Sequence, residues 1–324
     1  MDNDKHKGLT LSTTEASRDD RPLLRFALFT SLGLTLLGIF WRPLYMLAEL
    51  SFRLDPFSHT ILIPLVSATF LCWQRKNIFA KVKFDLPSSG LLFFIASVLC
   101  WFGSNSARVP TPWNGLSLSV LSLVVFLVGS FVLCYGFRAA RASAFPLLFL
   151  LLMVPIPEFA LNKIIHCLQY WTADCVGIIF DVLGISVHRD GLLFDLPGVS
   201  IRVAQECSGI RSSIALFIFA LLAAQLSLKS NWRKLILCVL LVPIAVAKNS
   251  VRIVTLSLLA VYVDRGFLSG HLHQEGGVIF FLIGLAVLIG FLRLLEMSER
   301  SPHSGQALSE KVLEERAVVS SRMS

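Results

Sequence analysis

The chain has 324 residues, 55% of them hydrophobic and 15% charged, with a formal net charge of +8 and a mean hydropathy of +0.72. A soluble chain of this length carries far more charge, so the composition excludes an ordinary soluble domain and points to an integral membrane protein. The basic residues lie in short clusters between apolar runs and form no continuous patch, which speaks against nucleic-acid binding.

Residues 1–22 are polar and are expected to form a cytoplasmic disordered N-terminus. The first apolar run follows a long region of mixed charge and ends in Trp41-Arg42-Pro43 rather than at small residues. It is therefore expected to remain as an anchor and not to be cleaved as a signal peptide. About 20 apolar residues cross a hydrocarbon core. Spans are expected at 24–41, 57–74, 90–103, 116–136, 144–157, 207–228, 235–262 and 276–295. The fold class expected is an all-α integral membrane protein. It is a polytopic bundle of about eight transmembrane helices, with a small extracytoplasmic amphipathic helix and β-hairpin. The transmembrane domain is placed at 23–298, and 299–324 is expected to be a disordered cytoplasmic tail.

Basic residues that stay in the cytoplasm orient membrane segments. Clusters occur at Lys5, Lys7, Arg18, Arg21 and Arg25, at Arg75, Lys76, Lys81 and Lys83, and at Arg138 and Arg141. Others follow at Lys229, Arg233 and Lys234 and at Arg300, Lys311, Arg316 and Arg322. Every second connection is thus basic. Both termini are expected in the cytoplasm, and 42–56, 104–115, 158–206 and 263–275 on the outer face.

The longest outward segment, 158–206, follows Pro155-Ile156-Pro157, which ends a helix. Leu161, Ile164, Ile165, Leu168, Trp171, Val176 and Ile179 fall at helical spacing. They predict an amphipathic helix lying on the membrane or over the bundle, or a further short membrane helix. After Gly184 the pattern becomes short strands with turns at Arg189-Asp190-Gly191 and Pro197-Gly198. A small hairpin here would deliver Cys207 to the next span.

Four of the seven cysteines, Cys72, Cys100, Cys134 and Cys238, lie in or beside spans and read as small hydrophobes. Cys167 and Cys175 share the outward segment and are candidates for a disulfide. No CxxC pair, no zinc-ligand spacing and no phosphate-cradling glycine loop is present, so neither metal nor cofactor is expected.

Three polar groups reach the same expected membrane face. Cys207 ends the outward segment within Ala204-Gln205-Glu206-Cys207-Ser208-Gly209-Ile210-Arg211-Ser212-Ser213. A thiol where a helix begins is favoured as thiolate by unpaired N–H groups and the positive end of the dipole. That is the form that attacks a carbonyl carbon, and Gly209 would let a substrate backbone approach. Arg252 lies within an apolar segment, and Asn249, three residues earlier, shares its helix face. Together they can aim donors at a developing oxyanion or a substrate carboxylate. His273 can act as base or acid near neutral pH, with His271 a rival. The bland alternatives are a structural cysteine, an arginine snorkelling to headgroups and an inert surface histidine. A polytopic transporter with Arg252 in the substrate path is the alternative function, and an inactive scaffold a further one. Few buried charges in the inner halves of the spans, and no apparent inverted repeat, count against transport.

Four motifs in order carry a family resemblance. Val203-Ala204-Gln205-Glu206-Cys207-Ser208-Gly209-Ile210-Arg211-Ser212 resembles the nucleophile motif of the exosortases. Asn249-Ser250-Val251-Arg252-Ile253 resembles their Asn/Arg motif, and His273-Gln274-Glu275-Gly276-Gly277 their His motif. Ser58-His59-Thr60 through Pro64 is similar to their early Ser-His motif, and the resemblance extends over roughly 40–295. It implies a bacterial inner-membrane cysteine transpeptidase with its site facing outward. Cys207 would be the nucleophile, Arg252 the oxyanion or substrate-positioning group and His273 the acid/base. The fourth-following glycine, Gly277, selects His273 over His271. Ser208, Gly209, Asn249, Gly277 and His59 would support them. The implied substrates are secreted proteins with a C-terminal signal: a Pro-Glu-Pro-like motif, a membrane helix and a basic end. The acceptor would be a polysaccharide or lipid amine. The lipid bilayer is the implied surrounding partner.

Overall fold

The computed structural model describes residues 20–53, 59–79, 82–105, 112–196, 199–203, 209–264 and 277–322. The chain divides into two compact units, Met1–Leu161 and Asn162–Ser324.

In the first unit, α1 (Asp20–Ile39) breaks at Phe40 into α2 (Trp41–Arg53), with a bend of 73°. Pro43 sits in the first turn of α2, where a missing N–H is harmless. Next come α3 (Leu62–Trp73), the short α4 (Arg75–Ile78), α5 (Leu86–Asn105), α6 (Pro112–Tyr135), α7 (Phe137–Ala142) and α8 (Ala144–Phe149). A 3-10 turn covers Leu150–Met153. Asp85 caps α5 by accepting the N–H of Ser88 at 3.1 Å.

The helices α5 and α6 pack through small residues. A Cβ on Gly103 would stand 2.8 Å from Ser119 Oγ, and one on Gly129 would stand 3.1 Å from the Phe93 ring. Ser122 donates to the carbonyl of the fully buried Ala96 at 2.8 Å. Small side chains bring backbones close where lipid offers no hydrophobic drive for association. Phe131, Cys134, Tyr135, Ala139, Ile78 and Leu147 form the aromatic-rich core of this unit. Phe29 meets the Phe131 ring edge-on at 5.9 Å.

The second unit takes up α9 (Glu158–Val182), which starts within the first. It adds a three-stranded antiparallel sheet and then α10 (Ile210–Ser227), α11 (Asn231–Tyr262) and α12 (Gly277–Arg322). The strands are β1 (His188–Asp190), β2 (Leu193–Leu196) and β3 (Val199–Arg202), in the order β1-β2-β3. Arg189 faces Phe194, and Phe194 faces Ile201. The chain thus forms a three-stranded sheet here and not a two-stranded hairpin. Gly191, at φ +59, makes the turn between β1 and β2.

The inner face of the sheet packs on two helices. Phe194 and Leu196 meet Ala173, Val176 and Phe180 of α9 and Ile253 and Val254 of α11. Gln169 of α9 is buried and donates to the Val203 carbonyl at 2.9 Å. A second core joins Leu216, Ala220 and Ala224 of α10 to Leu237, Leu241 and Ile244 of α11 and Leu288 of α12. Glu299 of α12 accepts the N–H groups of Lys229 and Ser230 at 3.0 and 2.8 Å and pairs with Arg233 at 3.2 Å. It satisfies donors that the start of α11 leaves open.

Among the described residues, five helices are long and apolar enough to cross a membrane, or up to seven if each of two bent pairs is one span. The bent pairs fall on the expected spans 24–41 and 144–157. The eighth, 57–74, shows only α3, whose 12 residues rise about 18 Å, well short of a hydrocarbon core. Residues 54–58 lie outside the described residues. Val278, Ile279, Leu282 and Ile283 of α12 are more than half exposed. Such a face is tenable in lipid and not in water.

One further expectation is corrected. Cys167 and Cys175 are free thiols. They lie eight residues apart on one continuous helix, about 12 Å along its axis, beyond disulfide reach. The region 299–322, read from composition as a disordered tail, continues α12 as helix to Arg322. Within it, Gln306–Ala317 is rich in the helix formers Gln, Ala, Leu, Glu, Lys and Arg. Of the expected N-terminal tail, residues 20–22 are helical and 1–19 lie outside the described residues.

Gly136 joins α6 to α7 at φ 89 and ψ 162, a backbone region held almost only by glycine. A Cβ there would stand 2.6 Å from the Lys83 carbonyl oxygen. Gly136→Ala is expected to destabilise the protein by about 1–3 kcal/mol, read as a lower unfolding midpoint in detergent. An unchanged midpoint would show that this junction carries no strain.

Candidate functional site

The expected site residues fall into three groups. Cys207, Ser208, His271 and His273 lie outside the described residues. Arg252, Asn249, Gly209 and Gly277 lie in the second unit, and His59 lies in the first.

Helix α11 carries the polar run Lys248, Asn249, Ser250 and Arg252. Within this apolar span Asn249 is 1% exposed, Ser250 is fully buried and Lys248 is 7% exposed. Arg252 is half-buried. Ser250 Oγ donates to the Val246 carbonyl at 2.9 Å and lies 3.3 Å from the Thr172 carbonyl of α9. This face of α11 therefore looks into the unit.

The start of α10 meets that face. Gly209 is the N-cap residue, buried, at φ 66 and ψ 17. A Cβ on it would stand 3.1 Å from Asn249 Oδ1 and 3.2 Å from Asn249 Cγ. Glycine is needed twice over here, for its positive φ and for the close side chain. The close neighbour is thus Asn249 of the same chain, where the sequence reading had a substrate backbone. The expected span at 207–228 starts later as a helix: α10 begins at Ile210, and Cys207 precedes its N-cap by two positions in the sequence. Ser212 closes the first turn by donating to the Gly209 carbonyl at 3.0 Å.

Gly277 opens α12, and a Cβ there would meet nothing within 4 Å. Among the described residues, nothing there requires glycine for space. The His59 carbonyl accepts the N–H of Leu62 at 3.0 Å, at the entry to α3.

Sequence reasoning gave Lys248 and Ser212 no role. Lys248 donates from Nζ to Ser212 Oγ. A signal was present: Lys248 stands four residues before Arg252 in an apolar span, and residues so spaced share a helix face.

The contrast between the two glycines is testable. Gly209→Ala is expected to destabilise by about 1–3 kcal/mol, because it combines a left-handed backbone with a crowded Cβ. Gly277→Ala is expected to leave the unfolding midpoint unchanged. Equal midpoints for the two variants would refute the close approach of Gly209 to Asn249.

No curated protein and no solved structure matches the chain. Residues 52–290 match the family described as transmembrane exosortase (Exosortase_EpsH). That range takes in most of the chain, including 59, 207–209, 249–252, 273 and 277, and nearly all the described membrane helices. The chain is a multi-pass membrane protein and belongs to the transmembrane exosortase family.

Proposed function

We propose that the protein is a cysteine transpeptidase that cleaves the C-terminal sorting signals of secreted proteins at the outer face of the bacterial inner membrane. The observation that carries the reading is the seat of Gly209 against Asn249. It joins the motif that contains Cys207 to the helix that contains Arg252, as a shared catalytic centre requires. Family membership supports the same reading and does not favour a transporter with Arg252 in its path.

In this reading a substrate helix is anchored in the bilayer, and its scissile peptide lies just outside. The Cys207 thiolate attacks the carbonyl carbon and forms a thioester. Arg252 stabilises the oxyanion, with Asn249 on the same helix face. His273 gives a proton to the departing amine as the C–N bond breaks. An amine of a polysaccharide or lipid acceptor, or water, then takes the acyl group and restores the thiol. Ser208, Gly209, Asn249, Gly277 and His59 are supporting positions. Substrates carry a Pro-Glu-Pro-like motif, a membrane helix and a basic end. Both termini of the enzyme are cytoplasmic.

Processing of a tagged secreted protein bearing such a signal tests the reading. Cys207→Ala is expected to abolish processing and leave full-length substrate in the membrane. Arg252→Ala is expected to slow it about a hundredfold to a thousandfold, the usual effect of losing one oxyanion donor. Normal processing by Cys207→Ala defeats the proposal.

A further inference from the structure

Lys248 takes no part in the reaction drawn above, yet it is a charged group nine-tenths buried in a membrane span. Such groups are destabilising and are generally retained for function. Its surroundings come from three helices. On its own helix, Asn249 follows it and Arg252 stands one turn on. From α10, Ser212 Oγ accepts its ammonium. From α12, Gly284 leaves room for its stem: a Cβ there would stand 3.1 Å from Lys248 Cδ and 3.3 Å from Leu216 Cδ1.

The ammonium has donors and no acceptor. Ser212 oxygen must therefore accept from it, and the single Ser212 proton is left to donate. It donates to the Gly209 carbonyl at 3.0 Å. A directed chain runs from Lys248 through Ser212 to the N-cap carbonyl of α10. Asn249 lies against the same glycine. A methionine would fill the volume of Lys248 but would leave the direction of the Ser212 hydroxyl unset.

We propose that Lys248 is a positioning residue for the transpeptidation. Through Ser212 it adds a second bond to the Gly209 carbonyl, which also accepts the Ser213 N–H at 2.9 Å, and so steadies the backbone two residues from Cys207. This rests on the reading of Cys207 as nucleophile.

The test uses the full chain in lipid nanodiscs, with the six cysteines other than Cys207 replaced by alanine. Lys248→Met and Ser212→Ala are each expected to lower kcat on a purified Pro-Glu-Pro signal protein by about tenfold to a hundredfold, as small misplacements do. KM should stay within about twofold. The double variant should be no slower than the slower single one, and Lys248→Arg should recover part of the rate. A kcat for Lys248→Met and Ser212→Ala within about twofold of the parent, or losses that multiply in the double variant, overturn the proposal. A second readout, the rate of Cys207 alkylation by iodoacetamide at fixed pH, does not need turnover. It should change by about threefold or more in both single variants, since thiol reactivity follows local environment. If the parent cleaves nothing, the transpeptidase reading fails and the catalytic role of Lys248 with it; alkylation then decides only whether Lys248 and Ser212 set the surroundings of Cys207, which an unchanged rate rules out. Ser212→Ala, which removes one oxygen, carries the test if Lys248→Met does not fold.

Discussion

The second unit depends on one close approach, the bare backbone of Gly209 against the side chain of Asn249. The contact is 3.1 Å from the Cβ position that glycine leaves empty, and the backbone there is left-handed at φ 66. Either feature alone favours glycine; together they leave no other residue unstrained. A side chain at 209 would push the first turn of α10 off α11. The Ser212 bond to the Gly209 carbonyl and the Lys248 bond to Ser212 would shift with it. Interiors packed at this density do not absorb such shifts smoothly.

The surrounding architecture holds α11 still for that contact. On one side, Ile253 and Val254 sit in the core made by Phe180 of α9 and Phe194 of β2. On another, Leu237, Leu241 and Ile244 pack with α10 and α12. At the far end, Glu299 fastens α12 to the turn between α10 and α11. The Gln169 bond to Val203 ties the end of the sheet to α9, one residue beyond β3. In lipid, helix association draws on packing and hydrogen bonds more than on apolar burial. The many specific contacts along α11 are what that environment demands.

The membrane class was legible because a hydrocarbon core imposes a length, and long apolar runs reveal it. The expected span 235–262 agrees closely with α11 at Asn231–Tyr262. Bends were not legible, because a count of apolar residues carries no direction. The run at 24–41 therefore hid the break at Phe40 and the helix beyond it. Along α9 the buried stripe is Leu161, Ile165, Gln169, Thr172, Val176 and Phe180. The apolar-only reading left out Gln169 and counted Trp171, which is half exposed. A polar side chain can be buried where it finds a backbone partner, as Gln169 does at Val203. That Arg252 and Asn249 share one helix was legible from spacing, and both lie on α11. The seat of Gly209 on Asn249 was not, since it joins residues forty apart in the chain.

Polarity inside this protein takes two forms, and the difference argues for where function lies. In α5 and α6 interior serines return their protons to backbone carbonyls: Ser119 to Gly115, Ser122 to Ala96 and Ser130 to Phe126. These bonds leave no net charge and little to do beyond packing. In α11, by contrast, two cations stand one turn apart on one face, Lys248 buried and Arg252 half-buried. Like charges at that spacing repel on any helix, and more strongly where water is scarce. A fold selected for stability alone would replace either with leucine. Lys248 offsets part of that cost through its bond to Ser212 Oγ, in the first turn of α10 next to Gly209.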